Sequence, residues 1–376
     1  MNDGTTSTVG IIGCGNIAPV YVRTLAELGW VNVAGFADGL PDRAAKFASD
    51  HVGVVGAQRA GIAMSVDAML ANPAIEAVVN LTPAHAHASV TRSALRAGKA
   101  VFSEKPLAEN FAGGRELIDL AASNGVRLGC APDTFLGAGL QTARDAIERG
   151  MIGEPISANA FMLGYGPEWW HPNPEIFYGP GAGPLFDMGP YYLTALANLL
   201  GPASSVYGCA RIGVTDRVIH AKGRVGDVVV ATVPTHVSAI IEFVSGATAT
   251  LVTSFDVKAS RYRNIEIYGS EATLAVPDPN TFGGPVQIRG VIGGDWRDFP
   301  LKKSAIPQQR GIGLADMLSA TLHGRPHRAS ANGALHVLEQ MSGILRSSDE
   351  RRSIDITSPY ERPAPLRSGL APNTFD

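Results

Sequence analysis

Lys105 stands between Glu104 and Pro106, directly after the apolar run Ala100–Ser103. Pro106 restricts the residue before it to extended backbone, and an X–Pro bond can also be cis. A lysine in a cleft loses part of its pKa to desolvation and can then move protons. A solvated Glu-Lys pair on a loop is the plainer reading of the same residues. The second stretch with chemistry in it is GAGPLFDMGPYYL, Gly181 to Leu193. Its Asp187 is the one formally charged residue between Ile176 and Ala210. Surface loops carry more charge than that and core helices carry none. Neither setting accounts for a lone carboxylate in so neutral a neighbourhood.

A third stretch fits a nucleotide. Gly13-Cys14-Gly15-Asn16-Ile17-Ala18 is a G-x-G-x-x-A between a β-branched run, Thr8 to Gly13, and a helical pattern from Ile17. Gly13 permits the tight turn, and Gly15 lets a pyrophosphate approach the backbone. Asn16 and Ile17 lead into the helix whose N-terminus then faces the anion. Asp38 ends the second strand, in the place where an acid binds the ribose hydroxyls of NAD and repels a 2′-phosphate. Arg43 on the following helix is the one feature that favours NADP. The expected cofactor is NAD.

These residues need elements to hold them. The first third alternates short apolar strands (TVGIIG, VNVAGFAD, IEAVVNLT, AVFSEKP, VRLGCAP) with helical patterns, among them HASVTRSALRAG closed by Gly98. That order predicts a parallel sheet covered on both faces. After about residue 150 strands follow one another closely: PISANAFML, VVVATVPTHVSAIIEF, ATATLVTSF, RNIEIYGS and ATLAVP. Closely spaced strands predict an antiparallel sheet. The expectation is an α/β Rossmann domain over 1–132, then an α+β domain with an open, mostly antiparallel sheet over 133–376. The boundary falls near Ala131 to Leu136.

Bulk properties narrow the classes. The chain has 376 residues, 45% hydrophobic and 17% charged, with a net charge of -3. This balance gives no reason to expect nucleic acid or a membrane surface as partner. Cys14, Cys130 and Cys209 are too dispersed for a disulfide framework or zinc site, and they fit a reducing cytoplasm. No metal is expected. His85 and His87 lie two apart with no third ligand near.

Gly13-x-Gly15-x-x-Ala18, LTPAHAHA and Glu104-Lys105-Pro106, in that order, resemble the Gfo/Idh/MocA family of sugar and inositol oxidoreductases. The resemblance spans nearly the whole chain, and the E-K-P tripeptide is its most specific element. It implies hydride transfer between a nicotinamide and a hydroxyl-bearing carbon, with Lys105 close to that hydroxyl. It places Thr82, Pro83 and His87 near the nicotinamide side, with Glu104 and Lys105. Thr82-Pro83-Ala84 lacks the asparagine that relatives often carry at 84. The stretch around Asp187 is similar to the family's G-G-G-x-x-x-D-x-G-x-H, with Gly181, Gly183, Asp187 and Gly189 on matching positions. The histidine position is Tyr191. A tyrosine of ordinary pKa near 10 donates protons where an imidazole accepts them. Three arrangements stay open: Lys105 as base with Tyr191 orienting the substrate, Tyr191 with a lowered pKa beside Lys105, or another group in the histidine's place.

His171, within GPEWWHPNPEIFYGPG, is the replacement candidate. Trp170 beside it offers an aromatic face to a sugar ring. Packing on the sheet is the plainer role for the tryptophans. Asp133 and Thr134, after the sixth strand, read as caps of the following helix. Histidines 51, 220, 236, 323, 327 and 336 suggest nothing beyond surface or core.

The expected activity is therefore oxidation of a secondary hydroxyl on a sugar, glycoside or cyclitol, or the reverse. Lys105 and Asp187 handle the proton, with Tyr191. The alternatives are a redox-neutral lyase or glycosidase using transient oxidation, and a dinucleotide-binding protein without chemistry. The open sheet leaves a face to cover, so a homo-oligomer, dimer or tetramer, is expected through it.

Overall fold

The computed structural model describes residues 6–51, 62–290, 294–367 and 369–376. Two units divide the chain. The first comprises residues 1–138, 302–335 and 363–376, and the second comprises 139–301 and 336–362.

The first unit opens with β1 (Ser7–Ile12), α1 (Ala18–Leu28), β2 (Val31–Ala37), α2 (Pro41–Asp50), β3 (Ile62–Ala63) and α3 (Val66–Ala71). It continues with β4 (Ala77–Asn80), α4 (Ala84–Arg96), β5 (Ala100–Ser103), α5 (Phe111–Ser123) and β6 (Leu128–Cys130). The strands form one parallel sheet in the order β3-β2-β1-β4-β5-β6. Every residue of β4 is buried, as expected of a strand covered on both faces. Strand order reverses between β1 and β4, and ligands of open α/β sheets bind at such a switch point. Left-handed Gly29 and Gly98 stop the chain just past α1 and α4.

The second unit holds most of α6 (Ala138–Glu148), then β7 (Pro155–Leu163), α7 (Gly183–Asp187) and α8 (Gly189–Leu200). There follow β8 (Ala203–Arg211), β9 (Asp216–Val218), β10 (Val228–Val230), β11 (His236–Phe243), β12 (Thr248–Ser254), β13 (Ile265–Gly269), β14 (Ala272–Val276), β15 (Val286–Gly290) and β16 (Arg297–Phe299). The last elements are α9 (Ile312–Leu322), α10 (Ala331–Glu350) and β17 (Ile354–Asp355). Nine strands form one sheet, β16-β15-β14-β13-β7-β12-β11-β8-β17. All its pairings are antiparallel except β7 with β12. The Rossmann-type sheet followed by an open, mostly antiparallel one is the architecture that the strand pattern anticipates.

Two details depart from the sequence reading. The run VVVATVPTHVSAIIEF is not one strand. It supplies β10, paired with β9 in a two-stranded ribbon, and β11 in the large sheet. Pro234 lies between them and has no N–H to give a ladder. The units also differ from a division at 132/133, because α9 and the C-terminal tail belong with the first sheet. Asp133 shows why. It caps a helix, but a distant one: its Oδ2 accepts from Gly311 N at 2.8 Å and Gly313 N at 2.9 Å, at the start of α9. Beside it, Cys130 N donates to Ala329 O at 3.1 Å, and Gly129 bridges Ser330 along the free side of β6.

Candidate functional site

The glycine turn is shaped by sterics. Gly13 has φ +101°, and a Cβ there would lie 2.5 Å from the backbone carbon and oxygen of Leu81. The β1–α1 turn therefore approaches the β4–α4 loop as closely as only glycine allows. Gly15 is different: a Cβ there would meet nothing within 4 Å, and the residue is exposed. Asn16 is exposed and Ile17 half-buried. No side chain caps the N-terminus of α1, and its first turn carries no acid. Within the first turn Ala18 N and Val20 N bond to the Gly15 and Ile17 carbonyls and Pro19 has no N–H, so it is the open main chain of the glycine turn, leading into a helix N-terminus, that fits a pyrophosphate. Asp38 closes this end: its Oδ2 accepts from Cys14 N and its Oδ1 from Leu40 N, both at 2.9 Å. Arg43 lies 3.6 Å from Asp38 and is half exposed. Burial, reinforced by the Asp38 charge, pushes the Cys14 thiol up to about 12, which keeps it out of thiolate chemistry.

At the end of β5 the peptide Lys105–Pro106 is cis. Lys105 is half-buried. Its own N–H donates to Glu104 Oε2 at 3.1 Å, and the other carboxylate oxygen accepts from the Tyr21 hydroxyl at 2.9 Å. Tyr21 is fully buried on α1; burial, then the Glu104 charge, raises its pKa well above the phenol range, so it stays a donor. His87 is 2% exposed, with Nδ1 2.8 Å from Pro106 O and Nε2 2.7 Å from Thr82 O. Burial lowers its pKa, while the two carbonyls pull the other way. Both ring nitrogens are thus engaged with main chain. The ring of His87, expected near the nicotinamide side, is buried and joins two loops. Glu104 likewise spends both oxygens on holding the turn. Thr82 is fixed through Asn80 Oδ1, at 2.7 Å from its hydroxyl, and Pro83 is exposed at the start of α4.

In the second unit, Gly181 and Gly183 have positive φ, +77° and +85°. A Cβ at Gly183 would come 2.8 Å from Pro234 O, so α7 starts tight against the β10–β11 connection. Asp187, half-buried, ends α7, and Tyr191, largely buried, lies in the first turn of α8. Met188 links the two helices, and Tyr191 N donates to its carbonyl at 3.1 Å.

The loop before them is held from below. Arg217 on β9, with 1% of its side chain exposed, donates Nε to Glu168 Oε1 at 3.1 Å and Nη1 to Asp256 Oδ1 at 2.6 Å. Its third arm reaches Phe255 O at 2.7 Å. The Tyr178 hydroxyl donates to Glu168 Oε2 in a short hydrogen bond, and the guanidinium lies over the Tyr178 ring. Gly166, at φ +101°, covers the pair, where a Cβ would run into both Glu168 and Arg217. Around this lies a small core of Tyr178, Ile219, Ala221, Val229, Ala231 and Phe255.

The residues between these anchors face outward. Trp170 is 62% exposed and Trp169 is exposed too, so neither packs into the core as expected; Tyr178 and, in part, Phe177 do. Trp169 stacks on His220 at 3.8 Å, a partner that the sequence did not single out. His171 sits edge-on to Trp170 and Phe177. Its Nδ1 accepts from Asn173 N at 3.0 Å, which puts the proton of the neutral ring on Nε2. In this tautomer His171 presents an Nε2–H donor. Among the described residues no group of three His, Cys, Asp or Glu is gathered for a metal ion.

Tyr21, Asn80, Glu168, Arg217 and Asp256 were not anticipated. Tyr21 left a faint signal, since a tyrosine on the buried stripe of a helix needs a partner for its hydroxyl. Arg217 and its acids left none.

A parallel sheet of this strand order, with an open glycine turn at its switch point, is a Rossmann-type fold, and the sequence model of an oxidoreductase family with an NAD-binding Rossmann fold matches residues 7–131. The GFO/IDH/MocA C-terminal domain matches residues 140–275, and the chain belongs to that family, the sugar and inositol dehydrogenase-type oxidoreductases. The 1,5-anhydro-D-fructose reductase of Ensifer adhaerens is 28% identical over 70% of this chain and 74% of its own. The inositol 2-dehydrogenase of Rhizobium meliloti is 24% identical over 93% of this chain and 99% of its own. Levoglucosan dehydrogenase, in complex with NADH and levoglucosan, has TM-score 0.78 at 19% identity over 94% of this chain and 100% of that one. At that identity the likeness concerns the fold.

Proposed function

We propose that this protein transfers hydride between NAD(H) and a secondary hydroxyl or ketone carbon of a sugar, glycoside or cyclitol. The observation that carries the reading is the fixed Glu104-Lys105-Pro106 turn in a Rossmann-type unit whose glycine turn is open. Gly13, Gly15, Asn16, Ile17 and the N-terminus of α1 would hold the pyrophosphate, and Asp38 the ribose hydroxyls. Asp38 favours NAD, because a 2′-phosphate would face its carboxylate. The nicotinamide, when bound, supplies the hydride acceptor or donor. Lys105 holds the substrate oxygen and moves its proton; Asp187 accepts or returns that proton, and Tyr191 orients the hydroxyl. Trp170 and His171 give an aromatic face and an Nε2–H donor for the sugar.

The test is a panel of myo-inositol, levoglucosan and simple glycosides with NAD and with NADP, read as NADH or NADPH absorbance at 340 nm. The 1,5-anhydro-D-fructose reduction is run in reverse beside it. Reduction of NAD by at least one member supports the reading, and silence across the panel removes it. Substrate conversion without net reduced cofactor would instead indicate the redox-neutral alternative.

We further propose that the open face of the large sheet pairs with a second copy. Tyr207 and Ile240 are direct cross-strand partners on β8 and β11, and both are exposed. Light scattering at the mass of one chain would overturn this. A cytoplasmic location belongs to the same proposal; among the described residues no helix is long and apolar enough to cross a membrane.

A further inference from the structure

We propose that Tyr21 and His87 are positioning residues for Lys105, gripping its turn from two different helices. The inference rests on the reading of Lys105 as the proton-handling group. Lys105 has a long, flexible side chain, and the backbone of its turn sets the point from which that side chain reaches. On one side of the turn Tyr21, from α1, holds the Glu104 carboxylate, whose second oxygen takes the Lys105 N–H. On the other side His87, from α4, stands between the carbonyls of Pro106 and Thr82. Asn80 ties the two sides together. Its carbonyl accepts from Glu104 N at 2.8 Å, and its side-chain amide donates to His87 O and Thr91 Oγ1, both at 3.0 Å.

Tyr21, Asn80, His87 and Thr91 are buried, Thr82, Glu104, Lys105 and Pro106 are half-buried, and all lie in one unit. Tyr21 has a second relation to function, since α1 is also the helix whose N-terminus faces the pyrophosphate site. Removing the hydroxyl of Tyr21 keeps the ring that packs, and it frees one oxygen of Glu104. Tyr21 is the fourth residue of α1, close to that N-terminus, but its hydroxyl is turned to Glu104. Cofactor binding is therefore expected to survive the loss of the hydroxyl, while proton transfer at Lys105 suffers. A tyrosine that only filled space would lose nothing as phenylalanine.

The experiment compares the full-length protein with Tyr21→Phe, His87→Gln, His87→Leu and Lys105→Ala. It reads kcat on the panel's best substrate, NADH affinity by fluorescence, and acetylation of Lys105 by an N-hydroxysuccinimide ester, followed by peptide mass spectrometry. For Tyr21→Phe we expect kcat to fall about tenfold or more, because small displacements of a reacting group are costly, with NADH affinity changed less than about twofold. The Lys105 acetylation rate is expected to change about threefold or more, because its backbone anchor is loosened. His87→Gln, which keeps one donor, should lose less than His87→Leu. Wild-type kcat and acetylation in Tyr21→Phe overturn the proposal, as do equal losses in the two His87 variants. If no panel sugar is oxidised, or Lys105→Ala turns over normally, the functional reading fails on its own. Acetylation then decides the positioning role by itself: a changed rate supports it and an unchanged rate overturns it.

Discussion

The turn at Lys105 and the loop at His171 are fixed by opposite means. A phenol, an imidazole and an amide hold the first, through hydrogen bonds to a carboxylate and to carbonyls. A guanidinium between two carboxylates holds the second, with its side chain 1% exposed. Buried ion pairs add little net stability, because desolvation cancels most of the attraction, but breaking one partner away is costly. The loop of the second unit is therefore placed more rigidly than it is stabilised. The turn of the first unit depends on several weaker contacts, none of which should be indispensable to folding.

The contrast breaks first at Arg217. Arg217→Ala leaves Glu168 and Asp256 facing an unfilled site and should cost about 3–5 kcal/mol, read by urea unfolding. The combined change of Arg217→Met, Glu168→Leu and Asp256→Asn should recover most of that stability while raising the KM for the sugar. If the triple variant keeps the parent KM, the ions do not serve the loop. Lys105→Ala comes next, with kcat lower by ~10²-fold and unfolding nearly unchanged.

Asp133 gives a subtler comparison, because its charge rests on two main-chain N–H groups. Burial raises its pKa to about 6 against an ordinary 3.8, and the Gly313 and Gly311 N–H bonds only partly offset this. The folded state thus holds the proton more tightly than the unfolded chain. The stability from this group is full below about pH 4 and is lost as pH rises through 6. Asp133→Asn should therefore gain on the parent in melting temperature between pH 4.5 and pH 7; a constant difference would count against it. The smallest expected effect is at Trp170, where alanine should raise sugar KM a few-fold, about 1 kcal/mol, with kcat and melting unchanged.

What the sequence disclosed follows the range of the forces involved. The demand on Gly13 is local and steric, so a glycine in a strand–turn–helix pattern announces it. The E-K-P tripeptide announces Lys105 for the same reason. The hands that hold these residues come from elsewhere: Tyr21 and Glu104 are 83 positions apart, Glu168 and Arg217 are 49, and Arg217 and Asp256 are 39. No periodicity connects them. His171 looked like a base because its type allows that, whereas its tautomer depends on the Asn173 N–H. The two-sheet architecture was legible, since strand spacing changes near residue 150. The return of α9 to the first sheet was not, because a helix buried on every side from Ile312 to Ala320 does not say which sheet it joins.

The segment at Ala329 and Ser330 that lies along β6 bears on how such a protein could be cut or rebuilt. The dinucleotide-binding part is stitched from three separate pieces of chain. Residues 1–138 alone would leave the Asp133 carboxylate without its glycine donors and the outer side of β6 bare. A shortened gene product of that kind should aggregate, and supplying residues 302–335 in trans should relieve it. Modular exchange of this part between relatives would have to carry the late helix along with it.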